Sequence, residues 1–330
     1  MTATTQLTVA QALRRAAARA TLAPSIHNSQ PWRFVLTNGV LEMHADRSRQ
    51  LHVLDPACRQ LLISCGCALF NARVALAAAG YPDVVHRFPV PTQSGLLAQI
   101  SVGSAGQVSN PCLGVLDPVI ELRHSNRRRF ADERVPAALV DHLIAAAAAE
   151  GAALLPVTDE AKLVTTAVLA QRAAAIEDAD PAYRAELRAW TTDEPDRADG
   201  VPAAAVPRSG TQSYDDIPIR DFDTRGTGGL PAATHSSIDQ CLLLLWTPGD
   251  NPLAWLQAGE GLQRALLELT RQGYVASIMS QVAEVPAVRA MLRRELDLTG
   301  EPHLLLRVGR APMTPATRRR RLVEVLVEHL

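Results

Sequence analysis

The sequence predicts an α+β fold made of two fused repeats, each a mixed sheet wrapped by helices. Three observations carry that prediction. First, Cys65–Tyr81 and Ala258–Tyr274 align without a gap, matching Gly66 to Gly259, Leu69 to Leu262, Ala72 to Ala265, Leu76 to Leu269 and Gly80-Tyr81 to Gly273-Tyr274. Second, Asn38-Gly39 stands between the strand-like runs Arg33–Leu36 and Val40–His44, which is the strongest short hairpin signal. Third, helical and strand-like segments are mixed along the chain, as in helices laid on sheets.

The elements follow in order. Val9–Ala23 is an Ala-rich amphipathic helix leading to the strand-like Trp32–Leu36. Pro136–Glu150 repeats that plan ahead of Ala152–Val157. Asp55-Pro56 and Asn251-Pro252 are start signals for the two aligned helices, and Gly-Tyr ends each as a C-cap. Further strands are expected at Val84–Val90, Leu96–Val102, Cys241–Trp246 and His303–Val308, and further helices at Glu160–Ala179 and Pro181–Thr191. A second unit opens near Pro111, dividing the chain into domains 1–110 and 111–330. Residues 192–235 are rich in Pro, Gly, Asp and Thr and lack periodicity. A loop that long is a lid over a site or a solvated excursion.

Composition excludes several classes. The 330 residues carry 33 basic and 34 acidic side chains, a formal charge of −1, so bulk charge indicates neither a nucleic-acid nor an anionic-membrane partner. Lys162 is the only lysine, so a single Arg is weak grounds for a selected guanidinium. No run of eighteen uncharged apolar residues occurs, and Met1–Gln11 lacks the plan of a signal peptide, so a cytoplasmic location is expected. Cys58, Cys65, Cys67, Cys112 and Cys241 stand among apolar neighbours without metal-ligand spacing and read as small buried hydrophobes, with no metal site.

Two motifs carry chemistry. Residues 23–34 read Ala-Pro-Ser-Ile-His-Asn-Ser-Gln-Pro-Trp-Arg-Phe, placing Pro24, Ser25, His27, Asn28 and Gln30 between a helix and a strand. Short polar side chains on an irregular backbone can hold a flat heteroaromatic edge, and the same composition also serves an ordinary turn. The stretch Glu121–Phe130 packs four Arg into seven residues, a possible phosphate clamp or a solvated basic face. No Gly-x-Ser-x-Gly elbow, P-loop or dinucleotide fingerprint occurs, and no side-chain nucleophile or general base stands out.

The first motif resembles the Pro-Ser-x-x-Asn-x-Gln-Pro-Trp signature of the nitroreductase family, and the layout resembles its double-length, Acg-type branch. Arg59–Gly66, Ile219-Arg-Asp-Phe222, Glu284 with Arg289 and Leu306–Gly309 support the likeness. The resemblance implies a fused pseudo-dimer with one retained FMN site. Ser25, Asn28 and Gln30 would hold the ring edge, and Asn126 and Arg128, with Arg123 in place of a family Arg that falls on His124, would hold the phosphate. It further implies ring contacts from the loop Val275–Gln281, through Ser277 and Met279, and phosphate contacts from Arg318, Arg319 and Arg320 after Gly309-Arg-Ala-Pro312. The implied activity is transfer of electrons from NAD(P)H through FMN to a nitro-aromatic or quinone-like acceptor, with no catalytic side chain. Storage of FMN with little turnover is the alternative. A monomer or a homodimer is compatible with either.

Overall fold

The computed structural model describes residues 6–93, 95–104, 109–128, 130–194, 196–208, 217–220, 222, 228–231 and 240–329. The first half runs α1 (Val9–Ala20), β1 (Trp32–Thr37), β2 (Val40–Ala45), α2 (Arg59–Ala78), β3 (Asp83–Arg87) and β4 (Leu96–Val102). After α3 (Pro111–Gly114) come α4 (Ala137–Ala148), β5 (Ala153–Val157), α5 (Glu160–Asp178), α6 (Pro181–Ala189), and the short β6 (Thr191–Thr192) and β7 (Val201–Pro202). The chain closes with β8 (Cys241–Thr247), α7 (Pro252–Arg271), β9 (Val275–Met279), α8 (Gln281–Glu284), α9 (Pro286–Glu295), β10 (Glu301–Gly309), α10 (Leu322–Val325) and β11 (Leu326–His329).

Two sheets repeat one topology. The larger has the order β11-β1-β2-β4-β3 and the smaller β5-β8-β10-β9. Each has a helix before its first strand, a long helix between the second and third, and the same spatial order of four antiparallel neighbours. The Asn38-Gly39 turn of the first sheet is replaced in the second by everything between β5 and β8. The C-terminal β11 crosses back and pairs in parallel with β1, Phe34 opposite Leu326. That strand carries no sequence signal distinguishing it from a tail.

The long helices α2 and α7 meet at the aligned glycines. A Cβ on Gly66 would stand 2.0 Å from Leu256 O, and one on Gly259 would stand 2.0 Å from Ile63 O. Extending the same register two residues back sets Ile63 against Leu256, so the contact is reciprocal, as across a two-fold axis. Only a residue without a Cβ allows backbones this close. Both helices end alike, with Gly80 and Gly273 at φ 82° and 75°, and Tyr81 and Tyr274 donating their amides to Leu76 and Leu269. Their starts differ. Asn251 caps α7 directly through Ala254 N, whereas α2 begins at Arg59 and Asp55 reaches in to accept from Leu61 N at 2.8 Å.

Buried residues of both halves join one core, from Leu13, Trp32 and Phe34 through Leu69 and Leu262 to Leu243 and Leu306. Among the described helices, α2 alone is apolar and long enough to cross a membrane, and 89% of that window is buried inside the protein. Cys58, Cys65 and Cys67 are buried as expected, Cys241 is half-buried, and Cys112 is exposed. Among the described residues no cluster of His, Cys, Asp and Glu suits a metal.

Candidate functional site

The loop between α1 and β1 is held in a costly conformation. His27, Asn28 and Gln30 have φ of 46°, 54° and 50°, the left-handed region that non-glycine residues avoid at about 1 kcal/mol or more each. Local bonds sustain it. Ser25 Oγ accepts from Gln30 N at 2.9 Å, and Ser64 Oγ, on α2, accepts from Ile26 N at 3.0 Å. The fully buried Trp32 fixes the exit into β1. Asn28 Nδ2 donates to Gly200 O and Arg318 O, its Oδ1 accepts from Arg319, and Gln30 bonds Ala198 O and Arg320 N. The two amides thus tie the loop to residues 198–200 and to the C-terminal arm.

From the second half, Asn126 staples the Arg-rich segment in place. Its backbone amide donates to Ala276 O, its Nδ2 to Pro312 O, and its Oδ1 accepts from Arg128 N. Because Ala276 turns its carbonyl outward to Asn126, the two-residue period of a strand turns Ile278 to the same free edge of β9. Ser277, Ile278, Met279 and Ser280 all line a cleft there.

That cleft has two connected parts sharing Pro24, Ser25, Ser125 and Arg127. The larger is walled by Gln60, Ile63 and Cys67 of α2, by β9, and by Ile219, Arg220 and Phe222. The smaller is lined by Asn28, Arg123, His124, Thr317 and Arg319. None of the described residues lining either part is Asp or Glu. Arg123 is 4% exposed, and its Nε and Nη1 find no partner among the described residues; nor does the buried Nε of Arg319. Burial pulls Arg123 and Arg127 down to about 10 and, with the charge of Arg123, Arg319 down to about 9. Desolvated cations without a counter-charge favour an anion in the smaller part.

The expected site residues are therefore divided. Pro24, Ser25, His27, Asn28, Arg123, Ser277, Met279 and Arg319 line the cleft. Gln30 and Asn126 are buried behind it as supports. Arg128 does not line it: Asn126 holds its backbone and its carbonyl accepts from Arg307. The residue that enters is its neighbour Arg127, stacked 5.1 Å over Phe222. In the run of four Arg, Arg318 is exposed near Asp196, and Arg320 bonds Gln30 O and lies near Asp46, leaving Arg319 as the member that reaches the cleft.

In the sequence Arg127 stood out only as one of four clustered Arg, and Gln60 and Ser64, within Arg59–Gly66, were quoted like Ile219–Phe222 and Glu284 without a role of their own. Arg220 bonds His27 Nε2 at 2.7 Å and Glu284 Oε2 at 2.6 Å, while Arg289 pairs instead with Asp250. Behind them burial and then the charge of Glu284 raise the Glu177 carboxyl above its ordinary range. Ile219, Arg220 and Phe222 thus wall the cleft. Arg129, Asp221 and the greater part of 209–239, where the remainder of the lid was expected, lie outside the described residues.

Fold and site define an α+β protein with a two-part cleft, the smaller part lined by buried guanidinium groups. No family model matches the chain. It is 33% identical over 324 residues to "Putative NAD(P)H nitroreductase Rv3131" of Mycobacterium tuberculosis, spanning 96% of this chain and 91% of that one. It is 30% identical over 309 residues to "Putative NAD(P)H nitroreductase acg" of the same organism, spanning 92% and 91%. Among solved structures, a nitroreductase with bound FMN from Bacteroides fragilis shares 14% identity over 62% of this chain and 94% of that one, at a TM-score of 0.38. The FMN-dependent nitroreductase NfnB of Mycobacterium smegmatis, in complex with NADPH, shares 15% over 64% and 97%, also at 0.38. The chain belongs to the nitroreductase family.

Proposed function

We propose that this protein binds FMN in the two-part cleft and passes electrons from NAD(P)H to a small nitro-aromatic or quinone-like acceptor. The observation that carries the reading is the pair of buried guanidinium groups, Arg123 and Arg319, with unpaired nitrogens at the polar end of a cleft without carboxylates. A phosphate of charge about −2 suits them. When bound, the flavin supplies the redox chemistry, accepting a hydride and giving it up to a second substrate.

The chain's own residues bind and orient. Arg123 and Arg319 neutralise the phosphate, Arg127 stands where the two parts join, and the free edge of β9 around Ile278 offers a backbone amide toward the ring. The loop from Pro24 to Asn28 closes the same space from the first half. The site is then assembled from both repeats, in keeping with a fused pseudo-dimer divided near residue 110. The wall formed by Ile219, Arg220 and Phe222 favours a second reading, in which FMN is held with little turnover.

One experiment separates these. The purified protein is loaded with FMN, its visible spectrum recorded, and NADPH or NADH added without oxygen. Bleaching within seconds supports the oxidoreductase. Bound FMN that only dithionite reduces supports storage, and failure to take up FMN defeats both.

A further inference from the structure

One contact on the cleft wall fixes a tautomer. Arg220 Nη1 lies 2.7 Å from His27 Nε2. A guanidinium has donors only, so Nε2 accepts, and a neutral His27 then carries its proton on Nδ1. The ring is kept neutral: burial, then the charges of Arg220 and Arg127, hold it well below the ordinary histidine value. Arg220 is itself anchored, at 2.6 Å, to Glu284 Oε2. Phe222 meets the imidazole edge-on at 5.3 Å between ring centres.

The protonated nitrogen is left over. His27 is 5% exposed and lines the larger part of the cleft, and its Nδ1 has no partner among the described residues. Gln60, 4% exposed and lining the same part, also has an Nε2 without a partner among the described residues. A buried donor left without an acceptor destabilises the protein until something fills the place. Donors left in this way, with no carboxylate among the described lining residues, suit an occupant that brings acceptor atoms.

We infer that His27 determines specificity for the electron acceptor: its Nδ1–H donates to an oxygen of a flat oxidised ligand, a quinone carbonyl or a nitro group. Arg220 is the positioning residue that holds the tautomer, and Glu284 holds Arg220. The inference rests on the FMN reading. Among the described residues, the side-chain contacts of His27 are to Arg220 and Phe222 rather than to Arg123, Arg319 or β9, on which the cofactor reading depends. The donor therefore falls to the second ligand.

Two measurements test this. In the protein as isolated, long-range 1H–15N NMR should find His27 protonated on Nδ1 and bare on Nε2, and Arg220→Ala should weaken that preference. The opposite tautomer in the unaltered protein overturns the inference, whether or not flavin is present. In FMN-loaded protein reduced with dithionite, reoxidation by a naphthoquinone is compared with reoxidation by ferricyanide, which needs no donor to a carbonyl oxygen. His27→Phe should slow the quinone reaction about ten- to hundredfold relative to ferricyanide. His27→Gln, which keeps an acceptor for Arg220 and a donor for the ligand, should restore most of it. Equal losses with both oxidants, or none, overturn the acceptor role while the FMN reading stands. A protein that takes up no FMN fails the reading itself, and the acceptor role with it.

Discussion

The two flanks of the α2–α7 seam are built from equivalent elements and end in opposite states. On one flank, Cys67 of α2 is small, donates its thiol to Gly259 O and leaves the cleft open. The alignment places Glu260 of α7 at the matching position on the other flank, and carried on without a gap it sets Arg87 against Ser280. There Glu260 is fully buried, grips Arg87 with both oxygens at 2.6 and 2.8 Å, and also takes Arg73 at 2.7 Å. Arg73 further bonds Asp83 and Glu150, which in turn takes Arg264. Burial opposes the Arg73 charge, yet Glu260, Glu150 and Asp83 together raise its hold on the proton. So buried guanidinium groups occur on both flanks: Arg73 and Arg87 are held by carboxylates on one, while Arg123 and Arg319 on the other have no carboxylate partner among the described residues. Saturated cations are structure. Those without a carboxylate line the cleft where an anion is proposed to bind.

The comparison breaks most visibly at Glu260. Glu260→Ala leaves Arg73 and Arg87 short of a counter-charge and should cost about 3–5 kcal/mol in chemical unfolding, since half of a buried ion pair is worse than none. A loss under 1 kcal/mol would show the network to be a solvated accessory rather than a plug. On the open flank the sign differs. Arg123→Ala with Arg319→Ala should leave the flavin-free protein as stable or more so, while FMN affinity falls roughly hundredfold, about 2.7 kcal/mol. Unfolding of the double variant would make these Arg structural after all.

Smaller effects sharpen the seam. Burial raises the Asp55 carboxyl to about 6, against the bond from Leu61 N. A folded-state value above the unfolded one gives stability that is fully present below the unfolded value and lost as pH rises through the folded one. Between pH of about 4 and 6 that loss approaches about 3 kcal/mol at most. Asp55→Asn should flatten the curve over that window, and an unchanged slope would count against the assignment. Gly66→Ala, pressing a methyl onto Leu256 O, should cost about 1–3 kcal/mol by forcing the helices apart. A neutral substitution in a melting experiment would mean that the seam is looser than drawn.

Much of this was legible in the sequence because it is local. The glycines of the repeat, Asn38-Gly39, the Gly-Tyr caps and the loop at Pro24–Gln30 are short-range signals, and the elements formed where they pointed. The resemblance also led to Arg123, Ser277 and Met279. What failed was direction. Arg127 and Arg128 are neighbours on an irregular segment, and which one enters the cleft is decided by Asn126 binding the Arg128 amide. In the same way one Arg of the run 318–321 reaches inward, because Gln30 and Asp46 engage Arg320 and Glu324 engages Arg321. The plug was invisible for another reason: Glu260, Arg73, Arg87 and Glu150 are scattered over 188 positions and gain meaning only when packing brings them together. Residues 192–235 were readable only as a lid or a solvated excursion, since nothing local says that Arg220 will meet His27.

The central claim is that one flank binds a flavin while its counterpart is closed by its own charges. Titration of FMN into flavin-free protein, followed by equilibrium dialysis, tests it directly. The account predicts a single FMN per chain, lost when Arg123 and Arg319 are both replaced by Ala. A ratio near two FMN per chain, or tight binding that survives the double substitution, would contradict it.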